Sequence, residues 1–177
     1  MASEKESGLQ EFTIEPLGPH HDRRAFSSGE EALDRYLKQQ ARQDMRRHAA
    51  AVFGAHRGDR VVAGYYALSN TSVPLTGFPE EVAKVLPRYP FVPATLLGRL
   101  AVSESHRGKG LGELLLLDAL RRSLEQTKQM GFVAVIVDAK DTDVRKFYES
   151  YGFIALPDDP FRLFLPMRTI SHLFGKA

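Results

Sequence analysis

The stretch Ser105–Leu120, SHRGKGLGELLLLDAL, sets Gly108, Gly110 and Gly112, with Arg107 and Lys109 between and before them, directly ahead of a run of leucines. It reads as a turn that feeds a helix from about Gly112 to Met130. Leu116, Leu117, Leu120 and Leu124 fall on one face of that helix, and Gly131 stands at its expected C-cap. Upstream, ATLLGRLAV (94–102) is continuously apolar and reads as a buried strand. Strand, glycine turn and helix together admit two readings. One is a tight connection with glycines for geometry alone. The other is an anion cradle, in which alternating glycines let successive backbone N–H groups point inward at the positive end of a helix, helped by two cations. A diphosphate would be its natural guest. The spacing is neither GxxxxGK[ST] nor GxGxxG, since Leu115 stands three residues beyond Gly112.

Working outward, FTIEPL (12–17) alternates apolar and polar residues and predicts a first strand. Ser27 and Ser28 precede Glu30 and Glu31 by three, the spacing of a capping box. Leu33, Leu37, Ala41 and Met45 then recur at i+4 in an amphipathic helix with a basic C-terminal end. AAVFGAHR (50–57) and RVVAGYYALSN (60–70) predict a hairpin around a two-residue Gly58-Asp59 turn. Between Thr71 and Pro93, five prolines break the pattern; Pro79 is placed to open a short helix and Pro87 to stop it. FVAVIVDA (132–139) predicts a second buried strand. DTDVRKFYESYG (141–152) predicts a short helix capped by Asp141 or Thr142 and closed by Gly152. FIAL and FRLFLPM complete the order as two last strands. The expected order β-α-β-β-(α)-β-α-β-α-β-β describes an α/β (α+β) domain with a mixed sheet and helices on its faces. With no repeat or linker in view, residues 11–177 are expected to form one domain behind a disordered tail at 1–10.

Composition narrows the chemistry. The 177 residues contain no cysteine, which excludes disulfides and thiolate ligands or nucleophiles. The six histidines form no HxxxH or HxH pair, so no metal site is expected. The N-terminus is polar and acidic, unlike a signal peptide, and no apolar stretch is long enough for a membrane, which points to a cytoplasmic protein. Net charge is only +2, yet arginines cluster at Arg46-Arg47 and Arg121-Arg122, leaving a nucleic-acid partner open.

RGKGLG (107–112) resembles the R/Q-x-x-G-x-G/A signature of the GNAT superfamily of acetyl-CoA-dependent N-acetyltransferases, and it stands between the fourth strand and the following helix as in that superfamily. FYESYGF (147–153) resembles the second hallmark, an aromatic pair followed by a Gly-Phe that begins the next strand. The resemblance implies a GNAT fold: a mostly antiparallel sheet of six to seven strands, flanked by helices, with a splayed strand pair for the cofactor. It implies that the N–H groups of Arg107, Gly108, Lys109, Gly110, Leu111 and Gly112 bind the coenzyme A pyrophosphate. The backbone of Leu100, Ala101 and Val102 would pair with the pantetheine arm, and an N–H near Leu100 would polarise the thioester carbonyl. Tyr148 would be the acid that protonates the departing thiolate, while Phe147 is read as core. Two residues depart from the pattern: Asp141, where an asparagine is frequent, and Ser103, where an aspartate often follows LAV.

From Phe12 to Ile170 the chain resembles the GNAT-fold toxins of bacterial type II toxin–antitoxin pairs, which acetylate the α-amine of aminoacyl-tRNA and block its use in translation. That resemblance implies aminoacyl-tRNA as acceptor, a ribbon-helix-helix antitoxin as partner, and a homodimer. Arg42, Arg46, Arg47 and Arg99 are the cations expected to meet tRNA phosphates, although a solvated helix end explains each of them singly. Two other readings stay open: an acetyltransferase for a protein N-terminus, a lysine or a small-molecule amine, and a non-catalytic module that keeps the fold. RGKGLG and Tyr148 count against the latter.

Overall fold

The computed structural model describes residues 11–175, so the expected tail at 1–10 lies outside the described residues. Seven strands form one mixed sheet in the order β1-β2-β3-β4-β5-β7-β6. They are β1 (Thr13–Pro16), β2 (Ala51–His56), β3 (Gly64–Pro74), β4 (Phe91–Val102), β5 (Ala134–Asp138), β6 (Ile154–Leu156) and β7 (Asp159–Pro166). The pairs β1–β2, β2–β3, β5–β7 and β6–β7 are antiparallel, and β4–β5 is parallel. The helices are α1 (Glu31–Arg35), α2 (Ala41–Arg46), α3 (Glu80–Ala83), α4 (Leu111–Gln126), α5 (Thr142–Glu149) and α6 (Met167–Leu173), with a π-helical turn, Tyr36–Gln40, joining α1 to α2. Among the described residues, no helix is long and apolar enough to cross a membrane.

The described chain forms two compact units, 11–69 with 98–119 and 70–97 with 120–175. The first has a core that includes Leu17, Phe26, Tyr36, Leu37, Val52 and Tyr65. The second is built on Val73, Phe78, Val92, Ile136, Leu156 and Phe164. Strand β5 explains the second well: Ala134 to Val137 are all buried, as a fully apolar run requires.

Several local expectations are corrected. The helix after Ser28 does not close a capping box. Ser28 instead donates from its N–H and its hydroxyl to Asp34, at 2.9 and 2.6 Å, and its Oγ accepts from the Glu30 N–H. A partner six residues on satisfies the same donors that a glutamate at three would have met. The hairpin is not closed by two residues either. β2 ends at His56 and β3 begins at Gly64, because Arg60 and Val62 hydrogen-bond Asp22 instead of β2. In α4 the buried face is Leu111, Leu115, Leu116, Ala119, Leu120 and Ser123, with Leu117 and Leu124 only partly covered. Full burial of each such leucine contributes about 1.5–3 kcal/mol. α4 ends at Gln126 and passes into turns, so Gly131 is not its left-handed cap. β4 begins three residues before Ala94, and a helix absent from the expected order, α6, follows β7.

One polar network ties β1 and β2 to the loop between β1 and α1. Glu15 Oε1 meets His21 Nε2 and His56 Nε2 at 2.8 Å each, and His20 Nε2 at 3.4 Å. These hydrogen bonds, that of His21 first, hold the Glu15 carboxyl at about 2, well below its ordinary 4.5. Burial lowers His21 below its ordinary 6.5. A depressed carboxylate stabilises the fold fully above its unfolded value and loses that contribution as pH falls toward the folded one. A depressed histidine loses stability once the unfolded chain takes up the proton, below about 6.5. Both act in the same direction. Thermal unfolding followed by circular dichroism should therefore show Tm declining below about pH 6.5 and again from about pH 4.5 toward 2. Glu15→Gln should flatten the second decline; an unchanged acid limb in that variant would remove Glu15 from the explanation.

Candidate active site

The glycine turn lies in the first unit, between the end of β4 and α4. A short 3₁₀ turn, Glu104–His106, leads into it. Gly108 and Gly110 adopt positive φ, +74° and +83°, where a side chain is strained. Gly112 does not: it lies in the first turn of α4, and a Cβ there would sit 3.8 Å from Val102 Cγ2, an ordinary contact. The Leu114 N–H donates to the Gly110 carbonyl at 3.1 Å, so Gly110 opens the helix. Among the described residues, the backbone N–H groups of Gly108 through Gly112 have no acceptor. An ordinary helix start leaves its first N–H groups orphaned, and here the row extends back through the left-handed glycines. A Cβ on Gly108 would meet nothing within 4 Å, so the turn is open on that side. Internal packing therefore does not account for Gly108 or Gly112, and the row of donors fits a diphosphate.

Arg107 is engaged differently. Its N–H donates to Glu104 O at 3.3 Å, and its guanidinium donates to the carbonyl of Ser28. Lys109 is exposed. Gly64, at the start of β3, lets α4 come close: a Cβ there would lie 2.8 Å from Leu115 Cδ1 and 3.1 Å from the Ala101 carbonyl. That approach seats the first turn of α4 beside the end of β4. In this end of the strand Ala101 is buried, and Leu100 and Val102 are half-buried. The parallel register with β5, Thr95–Leu97, precedes them. Ser103 donates its N–H to Ala63 O at 2.8 Å and its hydroxyl to Ser27 O at 3.4 Å, a structural use of the position.

The cations divide into two kinds. Arg42, Arg46 and Arg47, on and after α2, are exposed, with no ion pair among the described residues. Arg99 is half-buried, its guanidinium 3.7 Å from the centre of the Tyr36 ring. The Tyr36 hydroxyl donates to Asp44 at 3.0 Å, and burial, then that aspartate, pushes it up to about 12. The sequence pattern missed Arg23, whose guanidinium donates to Gly18 O and Leu37 O and so holds the π turn in place.

Tyr148 lies in the second unit, on α5. Asp141 caps this helix, accepting from the Val144 N–H at 2.9 Å, and Gly152 follows it with φ +93°. Tyr148 is 5% exposed, whereas Phe147 is half-buried, so the expected core residue is the less buried of the pair. Its ring contacts Phe147 and Phe153, with centroids at 5.2 and 5.3 Å. Burial, and then the Asp138 carboxylate, raise the Tyr148 hydroxyl above its ordinary value of 10. It is therefore protonated throughout the neutral range and can only donate a proton there. Asp138 stands 3.5 Å from Arg162 Nε, its register partner on β7.

Ligand atoms of Glu15, His20 and His21 lie within 4.8 Å of one another, but the ring nitrogens of His21 and His56 are already committed to hydrogen bonds. The Gly18 N–H donates to His21 Nδ1 at 2.8 Å, and the Gly58 N–H to His56 Nδ1 at 3.0 Å. Metal on Nε2 would leave each Nδ1 protonated and facing a backbone donor.

Residues 14–169 match the acetyltransferase (GNAT) domain family. The chain is 38% identical over 151 residues to a tRNA-acetylating toxin of Mycobacterium tuberculosis (strain ATCC 25618 / H37Rv), covering 85% of this chain and 89% of that protein. Among solved structures it is similar to a tyrosine-to-phenylalanine mutant of KacT, with TM-score 0.88 and 30% identity over 93% of this chain and all of that one. It is similar also to AtaT complexed with acetyl-methionyl-tRNAfMet, with TM-score 0.86 and 30% identity over 92% and 99% of the two chains. A tyrosine-to-phenylalanine mutant of AtaT has further been solved bound to the C-terminus of the antitoxin AtaR and acetyl-CoA, at TM-score 0.79 and 27% identity over 94% and 99% of the chains.

Proposed function

Because this chain belongs to the acetyltransferase (GNAT) family, we propose that it transfers the acetyl group of acetyl-CoA to the α-amine of an aminoacyl-tRNA, and so acts as a toxin that inhibits translation. The observation that carries the reading is the row of acceptorless N–H groups at Gly108–Gly112, in a chain similar to the tRNA-acetylating toxin and to AtaT. The match over 14–169 supports one acetyltransferase domain spanning 11–177.

In this reading Gly108 to Gly112 hold the pyrophosphate, and the backbone of Leu100, Ala101 and Val102 holds the pantetheine amides as an added strand would. Acetyl-CoA, when bound, supplies an activated thioester. An α-amine with pKa near ~8 is already partly neutral at pH 7, so positioning does most of the work. The Tyr148 hydroxyl donates its proton to the departing sulfur. Exposed Arg42, Arg46 and Arg47 and half-buried Arg99 would take phosphates of the tRNA. By the same similarity, an antitoxin of the ribbon-helix-helix type would bind the protein in the cytoplasm, and the active form would be a homodimer.

Labelled acetyl-CoA offered to a mixture of charged tRNAs, proteins and polyamines should label the charged tRNA. Label in protein or polyamine alone would overturn the acceptor assignment. The phosphate contacts should make the transfer salt-sensitive. The plot of log kcat/KM against log salt is expected to be steeply negative, and to become shallower by about one for each of Arg42, Arg46 and Arg47 changed to alanine. A flat response in the unmodified protein would indicate a small acceptor.

A further inference from the structure

Three segments of the first unit meet ahead of the glycine turn. The antiparallel register that sets Thr13 opposite His56 brings Phe12 and Arg57, one residue beyond each strand, to the same end of the sheet. The 3₁₀ turn Glu104–His106 delivers His106 there as well, one residue before Arg107. The Phe12 ring joins them. It lies edge-on to the His106 imidazole, with centroids 5.9 Å apart, and the Arg57 guanidinium stands 4.8 Å from its centre. Burial, then the Lys109 and Arg57 charges, hold His106 below its ordinary 6.5, while Asp59 opposes them. Two cations therefore converge on one ring that is neutral at pH 7.

The fold does not consume these cations. Arg57 is exposed, and among the described residues its one ion pair is with Glu11, 3.8 Å from Nε. So loose a contact between partly exposed groups is worth little. Lys109 is exposed and has no ion pair or hydrogen bond among the described residues. Arg107 differs, since its guanidinium donates to Ser28 O.

We infer that Arg57 and Lys109 form a second anion subsite beside the glycine turn, which takes the 3′-phosphate of coenzyme A and lets the protein discriminate the coenzyme from its dephospho form. The inference rests on the proposed reading of that turn as the cofactor cradle. Acetyl-CoA carries two separate anionic groups, a pyrophosphate bridge and a phosphomonoester on the neighbouring ribose. The amides of 108–112 are neutral donors in a short row and suit the bridge. The monoester carries about −1.5 to −2 charge at pH 7 and calls for full cations. A guanidinium supported on an aromatic ring presents a fixed fork to two of its oxygens, and an ammonium adds a point charge. Glu11 and Asp59 are the exposed carboxylates near this subsite, and Glu11 yields Arg57 to the phosphate at small cost.

Isothermal titration of the full chain with acetyl-CoA and with acetyl-3′-dephospho-CoA tests it. The unmodified protein should bind the dephospho compound about 30-fold more weakly. Arg57→Gln, which keeps most of the stem over Phe12, and Lys109→Ala should each cut that ratio to about five-fold, and the two together should bring it near one. Both compounds share the pyrophosphate and the thioester, so the ratio reports the monoester alone. A general loss of binding or folding would move both constants together. Equal affinities for the two compounds in the unmodified protein would overturn the inference. A ratio unchanged in the double variant would overturn it as well, and a raised acceptor KM in that same variant would give the two cations to the tRNA instead. Binding of neither compound would strike the cofactor reading itself, and this inference with it.

Discussion

Tyr148→Phe should lower kcat by about 10²–10⁴-fold and leave the acetyl-CoA Kd within about two-fold of normal, because the change removes one proton donor and almost no volume. The ring packs against Phe147 and Phe153, and phenylalanine keeps that packing. What is lost is a hydroxyl that burial and the Asp138 carboxylate keep protonated. Single-turnover kinetics with saturating acetyl-CoA and charged tRNA would separate the chemical step from binding. Growth arrest on expression should disappear with the same substitution. Near-normal turnover in Tyr148→Phe would show that the sulfur finds its proton elsewhere.

The second large effect is expected from Gly110→Glu, which should weaken acetyl-CoA binding by at least about 100-fold. Its causes add. A non-glycine residue at φ +83° costs on the order of 1–3 kcal/mol of strain. A carboxylate added at the helix start would also repel a dianionic ligand held by the 108–112 amides. Gly112→Ala serves as the control, since a Cβ there makes only an ordinary contact with Val102 and the backbone is unstrained. It should fold normally and separate the effect of added bulk from that of the left-handed backbone. Circular dichroism on both variants checks that the fold is intact.

Much of this architecture could be read from the chain. Continuous apolar runs announced β4 and β5, and Asp141 and Gly152 marked the ends of α5. What escaped had non-local causes. The π turn at Tyr36–Gln40 is held by Arg23, fourteen residues away from Leu37, and no local propensity encodes that contact. The hairpin loop is long because Asp22, distant in sequence, takes the hydrogen bonds of Arg60 and Val62. Leu117 and Leu124 look equivalent to Leu116 and Leu120 on a helical wheel, yet only the latter two are fully buried, as the neighbouring elements decide the buried face. Within the site, RGKGLG revealed the glycines and the amides. It could not reveal that the Arg107 side chain turns back to Ser28, seventy-nine positions earlier.

The central claim is that the amides of Gly108 to Gly112 hold the pyrophosphate of the acyl donor. Isothermal titration of the unmodified protein with acetyl-CoA and with S-acetylpantetheine, which carries the same thioester and amides but no phosphate, tests it directly. Acetyl-CoA is predicted to bind at least about 100-fold more tightly, a difference of about 2.7 kcal/mol. Equal affinities, or no heat with either compound on a folded sample, would contradict the account.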